Sequence, residues 1–245
     1  MFPVICKIGP LTVYSYGLMM AVSVIVCAIL LSRDAGGKGI SADVVYDFIF
    51  WAVLAGIAGA RLFYILLNFE FFRQSPGEIV MLQNGGLAWQ GGLIAGSLCT
   101  FYFVKHKRLS VPMFADLVAP YVALGQAIGR IGCFLNGCCY GRPVPWGIYF
   151  PVHHEHLHPT QLYSAFNLTV IFFILKAFQK HARAPGQVLV LYFILASAER
   201  FIVEFFRADH KMSWGGLSEF QVVSLVIFLA ALLVNFRLTM KRKSG

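Results

Sequence analysis

Long apolar runs, separated by short polar segments, dominate the chain. Each run has roughly 20 residues, the length that an α-helix needs to cross the hydrocarbon core of a bilayer. The runs lie near residues 11–31, 44–67, 87–104, 113–135, 160–178, 186–206 and 220–236. This pattern predicts an all-α membrane protein with seven transmembrane helices, which form a single integral membrane domain over residues 1–245.

Two longer polar segments interrupt the pattern, at about residues 69–86 and 136–159. Two predicted spans separate them, so both segments lie on the same side of the membrane. The second segment is rich in Pro, Gly and His, residues that favour turns and polar contacts over a membrane helix. We expect the two segments to form a small head region on the outer face.

The composition excludes a soluble globule, since 58% of the residues are hydrophobic and only 13% are charged. The first apolar run is longer than the roughly 7–15-residue core of a cleaved signal, so we expect a retained helix. A net charge of +9 would suggest a nucleic-acid partner in a soluble protein. Here, however, most Lys and Arg fall in the segments that an N-out, C-in orientation places inside the cell. The positive charge therefore indicates how the chain is oriented in a lipid bilayer. We expect no nucleic-acid partner.

Three arginines lie inside the predicted spans: Arg61, Arg130 and Arg200. A charged side chain at that depth is costly and is usually paired or functional. One interpretation is an ion-pair scaffold that includes Glu199 and Glu204. The other is a site for an anionic phosphate headgroup, which arginine binds through paired hydrogen bonds. The predicted orientation brings all three arginines to the outer side, as it does Tyr16 in the first span.

Other polar groups reach the same level. His158 precedes Gln161 at the start of the fifth span, where it could tie the head region to the helices or exchange a proton near pH 7. The spacing alone favours the structural role. Gln90 lies between two pairs of glycines at the start of the third span, which predicts either a cavity lined by backbone or close helix packing.

Cys133, Cys138 and Cys139 lie at the end of the fourth span. Such thiols can be nucleophiles, disulfide partners, metal ligands or small packing residues. Their spacing contains no Cys-x-x-Cys pair of the kind that holds zinc, so we expect no metal and no cofactor. A Cys133–Cys138 disulfide stays open, and packing is the favoured interpretation.

Several motifs follow one another in a distinctive order. The first group is Tyr16-Gly17-Leu18-Met19, Ala60-Arg61-Leu62 and Gly91-Gly92-Leu93-Ile94; the second is Gly129-Arg130-Ile131-Gly132, Phe134 and Asn136-Gly137, His158-Pro159-Thr160-Gln161-Leu162-Tyr163 and Arg200-Phe201-x-Val203-Glu204-x-Phe206-Arg207. In this combination the chain resembles the prolipoprotein diacylglyceryl transferase family over nearly its whole length. The resemblance implies a multi-pass enzyme of the bacterial inner membrane with its active site towards the outer face. It also implies transfer of the diacylglyceryl group of phosphatidylglycerol to the lipobox cysteine of a prolipoprotein signal peptide, which forms a thioether and releases glycerol phosphate.

The resemblance implies roles for individual residues as well. Arg130 and Arg200 correspond to arginines important for activity in the family, and we expect them to hold the phosphate and stabilise its charge as it leaves. Tyr16, Gln90 and His158 complete the expected catalytic set. The expected substrate-binding residues are Arg61, Arg130, Asn136, Gln161, Glu204 and Arg207.

The chain departs from better-known members of that family at several positions. Gln90 replaces a histidine, Cys133 an asparagine and Cys138 a glutamate, and Ala196 stands where some members carry tyrosine. Because Gln90 cannot act as a base, either another group takes the proton or the substrate thiol ionises in a positive environment. Two further functions stay open: a divergent paralogue with thiol- or metal-dependent acyl or redox chemistry, and a small-molecule transporter. The absence of a repeated half disfavours the transporter.

Overall fold

The computed structural model describes residues 1–9, 11–81, 85–208, 212–214 and 216–243. This part of the chain is mostly helical, as expected. Its α-helices are α1 (Ser15–Gly36), α2 (Ala42–Leu67), α3 (Phe69–Gln74), α4 (Trp89–His106), α5 (Val111–Asn136), α6 (Thr160–Gln179), α7 (Gln187–Glu204) and α8 (Glu219–Lys243). A short 3₁₀-helix covers Pro76–Val80. Each helix except the six-residue α3 coincides with one of the seven apolar runs.

Three antiparallel hairpins correct the all-α expectation. They pair β1 (Val4–Ile8) with β2 (Leu11–Tyr14), β3 (Pro143–Phe150) with β4 (Glu155–Leu157), and β5 (Met212–Trp214) with β6 (Leu217–Ser218). All three lie between or before the long helices, where short segments must still satisfy their backbone hydrogen-bonding groups. The β3–β4 hairpin forms most of the predicted head segment at residues 136–159.

Five of the described helices are long and apolar enough to cross a membrane: α1, α2, α5, α6 and α8 up to Met240. The other two long helices, α4 and α7, have 18 residues each. α4 begins with Trp89-Gln90-Gly-Gly and ends with Lys105-His106, and α7 carries two glutamates and an arginine in its last six residues. Because of these polar ends, α4 and α7 are not among the five candidate spans. An arrangement with seven spans stays a prediction.

The chain divides into two compact units. Unit 1 comprises residues 1–31 and 115–245, and its core lies where α5, α6 and α7 pack together. The buried core residues are Ala119, Ala123, Ala127, Leu168, Ile171, Leu175, Val188 and Tyr192. The three alanines are four residues apart, so they form a ridge of small side chains that lets neighbouring helices approach closely.

Polar contacts fix the positions of the helices in unit 1. The buried Asp116 carboxylate on α5 accepts hydrogen bonds from the backbone N–H groups of Gly186 (2.6 Å) and Leu189 (2.8 Å), and so caps the first turn of α7. On α1, the Ser23 hydroxyl donates to the carbonyl oxygen of Gly125 at 3.1 Å. Further along α5, a Cβ at Gly132 would lie 2.9 Å from the Cβ of Met19. The α1–α5 contact therefore needs glycine near the end of α5.

Unit 2 comprises residues 32–114. Its two long helices, α2 and α4, cross where Gly59 faces Gly91, and a Cβ on either residue would collide with the backbone of the other helix. Such glycine crossings are typical of helices in lipid, where packing replaces the hydrophobic effect as the driving force.

We expect Gly59→Ala to lower the free energy of unfolding by about 1–3 kcal/mol, the usual cost of overpacking. Its Cβ would lie 2.6 Å from the Gly91 carbonyl oxygen, so the two helices would have to separate. Thermal unfolding in detergent measures the effect. Gly56→Ala, one turn earlier on α2, is the matched control because its Cβ would lie 3.9 Å from the nearest oxygen. Equal unfolding temperatures for the two variants would contradict the close crossing.

Candidate active site

The end of α7 carries a buried group of charges centred on Glu204. The Glu204 side chain is fully buried, and its Oε2 atom lies 2.9 Å from Nη2 of Arg200 and 3.7 Å from Nε of Arg207. These spacings of four and three residues place all three side chains on neighbouring turns. A buried carboxylate needs such compensation, because removing charge from water is costly unless the charge is paired.

The start of α8 completes the environment of Glu204. The Ser218 hydroxyl donates to Oε1 of Glu204 at 3.1 Å. The same hydroxyl accepts the backbone N–H of Gln221, and the Gln221 side chain accepts the backbone N–H of Ser218. This reciprocal pair is a capping box, a motif that begins helices. One serine therefore both starts α8 and helps to hold the buried carboxylate.

Arg200 has one guanidinium nitrogen without a hydrogen-bond partner among the described residues. The group lies over the ring of Phe220, 4.8 Å from the ring centroid. Its Nη1 atom is buried and has no hydrogen-bond partner among the described residues. An unpaired buried donor is costly, so this nitrogen marks a position where a ligand acceptor would be stabilised.

Arg130, near the end of α5, interacts electrostatically with the charged residues of α7. It is half-buried and interacts electrostatically with Arg200, Glu199 and Tyr16. Glu199 accepts a hydrogen bond from Ser164, and its Oε1 atom has no partner among the described residues. Within the part of the chain that the structure describes, this group therefore contains three arginines, Arg130, Arg200 and Arg207, and two glutamates.

A tight turn follows α5 and carries two of the cysteines. Gly137 and Cys139 both adopt left-handed backbone conformations, with φ of 79° and 62°. The backbone N–H of Cys138 donates to the Cys133 carbonyl at 3.2 Å, which closes the end of the helix. These torsions fold the chain back, so that the sulfur atoms of Cys133, Cys138 and Cys139 lie within 4.8 Å of one another.

The first residues of α6 hold this turn in place. The Thr160 hydroxyl donates to the Cys139 carbonyl at 2.7 Å, and Nε2 of Gln161 donates to the Cys138 carbonyl at 2.6 Å. Gln161 is 1% exposed, and its Oε1 atom has no partner among the described residues. A buried amide thus offers a free acceptor beside the cysteines.

All three of these cysteines are free thiols. The Asn136 side chain hydrogen-bonds to Cys138. Hydrogen bonds from the thiols of Cys133 and Cys138, followed by the positive charges of Arg207 and Arg130, hold the pKa of Cys139 well below its ordinary value. The sulfur group therefore belongs to the same electrostatic environment as the arginines.

His158 lies in an aromatic setting beside the turn. Its Nδ1 atom is 3.1 Å from the Tyr163 hydroxyl, and its ring packs edge-on against Trp146 and Phe206. Burial lowers the pKa of His158, which favours the neutral imidazole. The backbone of His158 also hydrogen-bonds to Gly141 and Arg142, so the residue joins the head hairpin to α6.

Arg61, which belongs to unit 2, has a different environment. All five N–H groups of its guanidinium donate to backbone carbonyl oxygens, and the group lies 5.2 Å from the Phe72 ring centroid. The acceptors are the carbonyls of Glu78, Ile79, Met81, Gly85 and Gly86. Its hydrogen-bonding capacity is therefore used within its own unit. Gln90, also in unit 2, is exposed in the first turn of α4.

The predicted site residues thus fall into two groups. Unit 1 contains Tyr16, Arg130, Asn136, His158, Gln161, Arg200, Glu204 and Arg207, near the ends of α5 and α7 and the starts of α1 and α6. Arg61 and Gln90 belong to unit 2. The sequence interpretation did not identify Ser218, although the Ser-x-x-Gln spacing at residues 218–221 could have predicted a helix start. For Cys139 the sequence favoured a packing role, and the turn geometry now brings its sulfur next to those of Cys133 and Cys138.

These features define a multi-pass membrane protein with a cationic, thiol-containing site among the ends of five helices. Residues 3–237 match the sequence profile of the prolipoprotein diacylglyceryl transferase family. The chain is 35% identical over 242 residues to a phosphatidylglycerol–prolipoprotein diacylglyceryl transferase from Clostridium tetani. The alignment covers 96% of each chain. It is 37% identical over 232 residues to the protein of that name from Thermosynechococcus vestitus, covering 90% of this chain and 86% of the relative. The chain therefore belongs to the prolipoprotein diacylglyceryl transferase family.

We expect Glu204→Gln to lower the free energy of unfolding by about 3–5 kcal/mol, because it removes a buried carboxylate that compensates the charge of Arg200 and lies beside Arg207. Thermal unfolding in detergent measures this. Glu70→Gln is the matched control: Glu70 pairs with Arg73 at 3.8 Å, but the two side chains are 73% and 70% exposed, and such pairs contribute less than about 1 kcal/mol. A similar loss of stability in both variants would refute the role of Glu204.

We also expect His158 to titrate below the ordinary histidine pKa of about 6.5. The unfolded chain then takes up this proton before the folded protein does, so stability falls as the pH drops from about 6.5 towards the folded pKa. An NMR titration of the imidazole signals, with His158→Gln to assign the signal that disappears, measures the midpoint. A midpoint at or above 6.5 is incompatible with this burial.

Proposed function

We propose that this protein transfers the diacylglyceryl group of phosphatidylglycerol to a cysteine thiol of a prolipoprotein. The sulfur bonds to the glycerol carbon that carries the phosphate ester, and the carbon–oxygen bond breaks. The electron pair stays on the phosphate oxygen, so the products are a thioether and glycerol phosphate, while the thiol proton is released. Membership of the family and the names of its relatives support this reaction.

One observation carries the assignment to a site: the buried Nη1 atom of Arg200 has no partner among the described residues. It lies in a group where three arginines face two glutamates. A phosphodiester is a singly charged anion with several acceptor oxygens, and arginine binds such groups through charge-assisted hydrogen bonds. As the phosphate leaves, its negative charge increases, and fixed positive groups lower the barrier because they interact more strongly with the leaving group than with the lipid.

We assign supporting roles to the other residues of unit 1, in agreement with their surroundings. Arg130 carries a second positive charge towards the phosphate, and Arg207 is held beside Glu204 as a supporting charge. The free acceptor Oε1 of Gln161 suits a hydroxyl of the glycerol headgroup. Tyr16, whose side chain is 43% exposed, offers a phenol at the lipid-facing side of the site. Asn136 orients the turn through Cys138, and His158 acts as a neutral structural link.

The two site residues of unit 2 take indirect roles in this proposal. Arg61 orders the segment after α3, since its donors are all used by backbone carbonyls. Gln90 has no acidic or basic group, so in this proposal it does not act as the base.

The proposed topology has seven spans, with the N-terminus outside and the C-terminus inside the bacterial inner membrane. Helices α4 and α7, although short, cross the bilayer with their polar ends at its surfaces. The distribution of Lys and Arg supports the orientation, and it places the active site towards the outer face, where signal peptides arrive.

We expect Arg200→Gln to reduce the transfer rate by at least about a hundredfold, the usual effect of removing one group that stabilises a developing anion. The assay follows labelled diacylglyceryl from phosphatidylglycerol to a peptide with a lipobox cysteine. Arg183→Gln, at an exposed position before α7, is the matched control and should retain the wild-type rate.

Because Arg200 also pairs with Glu204, unfolding temperatures must accompany the rates. Arg130→Gln is the second variant, since Arg130 makes no ion pair with a described residue, and we expect a similar loss of rate with little change in stability. If a folded Arg200 or Arg130 variant kept more than a tenth of the wild-type transfer rate, the proposed phosphate site would be refuted.

A further inference from the structure

The three cysteines at the end of α5 form a group that the phosphate site does not use. Their sulfur atoms lie within 4.8 Å of one another, and all three are free thiols. A tetrahedral zinc ion binds sulfur at about 2.3 Å, which sets its sulfur ligands about 3.8 Å apart. Side-chain rotations that shorten the sulfur–sulfur distances by at most about 1 Å would therefore create a site with three sulfur ligands.

We propose that Cys133, Cys138 and Cys139 bind one Zn²⁺ ion, and that the open fourth position takes the cysteine thiol of the prolipoprotein. Three protein ligands with an open position are typical of catalytic zinc, whereas structural zinc has four. The assignment of the fourth ligand rests on the proposed transferase function. The sulfur geometry thereby revises the expectation, drawn from sequence spacing, that the chain holds no metal.

The surroundings of the sulfur atoms suit this metal. Zn²⁺ with three thiolates carries a net charge of −1, and Arg207 and Arg130 interact electrostatically with Cys139. Asn136 hydrogen-bonds to Cys138, and the carbonyls of Cys138 and Cys139 are held by the side chains of Gln161 and Thr160. Such outer contacts orient metal ligands and strengthen binding.

Zinc would supply what thioether formation requires, a deprotonated sulfur. A thiol bound to Zn²⁺ loses its proton, which passes to water. The zinc-bound sulfur then bonds to the glycerol carbon of phosphatidylglycerol, and glycerol phosphate leaves with the electron pair of the broken carbon–oxygen bond. The thioether product is uncharged and a weaker ligand than a thiolate, so it leaves the metal.

The first experiment measures zinc alone. The full chain, purified in detergent with a reductant that contains no thiol, is loaded with Zn²⁺ and freed of excess metal, and bound zinc is quantified. We expect about one zinc per chain, and less than a tenth of that in the triple variant Cys133→Ser, Cys138→Ser, Cys139→Ser. The matched triple variant Cys6→Ser, Cys27→Ser, Cys99→Ser should keep the wild-type amount. Less than a tenth of an equivalent in the wild type, or zinc retained in the first variant, overturns the site.

Two further measurements guard against a variant that fails to fold. In single serine variants with wild-type unfolding temperature, competition with a chelator should show zinc affinity lowered by at least about a hundredfold. In the wild type, Co²⁺ should produce thiolate-to-cobalt charge-transfer absorption, and its absence overturns the proposal.

A signal peptide with a single cysteine tests the fourth position. It should change the Co²⁺ spectrum, whereas the same peptide with serine in place of that cysteine should not. Identical spectra with the two peptides overturn the substrate-binding part. Transfer without bound zinc would refute this inference and leave the transferase function standing, whereas zinc binding without transfer would refute only the transferase function.

Discussion

The rest of the site depends on the ion pairs of the buried Glu204 carboxylate with Arg200 and Arg207. A fully buried charge persists only where other groups compensate it, and here Arg200, Arg207 and the Ser218 hydroxyl do so. These three partners come from α7, the segment after it and the residue that starts α8. One carboxylate therefore fixes where α7 ends, where α8 begins and how two of the three cationic groups are held.

In the proposed reaction, the positive environment around Glu204 serves two anionic reactants at once. The phosphate of the lipid and the thiolate of the peptide must meet, although like charges oppose their approach. An excess of arginine charge next to a group of sulfur atoms lowers that cost for both. The turn at residues 137–141 matters for this reason, because it places sulfur and guanidinium groups in one region of unit 1 without any long loop.

Much of the helical framework could be predicted from the sequence, since apolar length is a local property. The predicted run 113–135 corresponds to Val111–Asn136, and 160–178 corresponds to Thr160–Gln179. The hairpins could not be predicted in the same way, because their strands are short and depend on pairing partners. Within the site, the Arg200–Glu204 pair follows from spacing on one helix. The contribution of Ser218 and the convergence of the cysteines depend on contacts between distant segments and on the left-handed conformation of Cys139.

Arg61 has a structural environment, and its expected role in substrate binding stays a prediction. Its guanidinium acts as an organising centre for carbonyl oxygens, much as a structural metal ion arranges its ligands, and no donor is left for an external anion. Lysine would preserve the charge, yet its single ammonium group could not reproduce a planar fork with five donors. The loss of activity in a variant at this position would consequently be informative about lipid binding only if the surrounding backbone were shown to stay ordered.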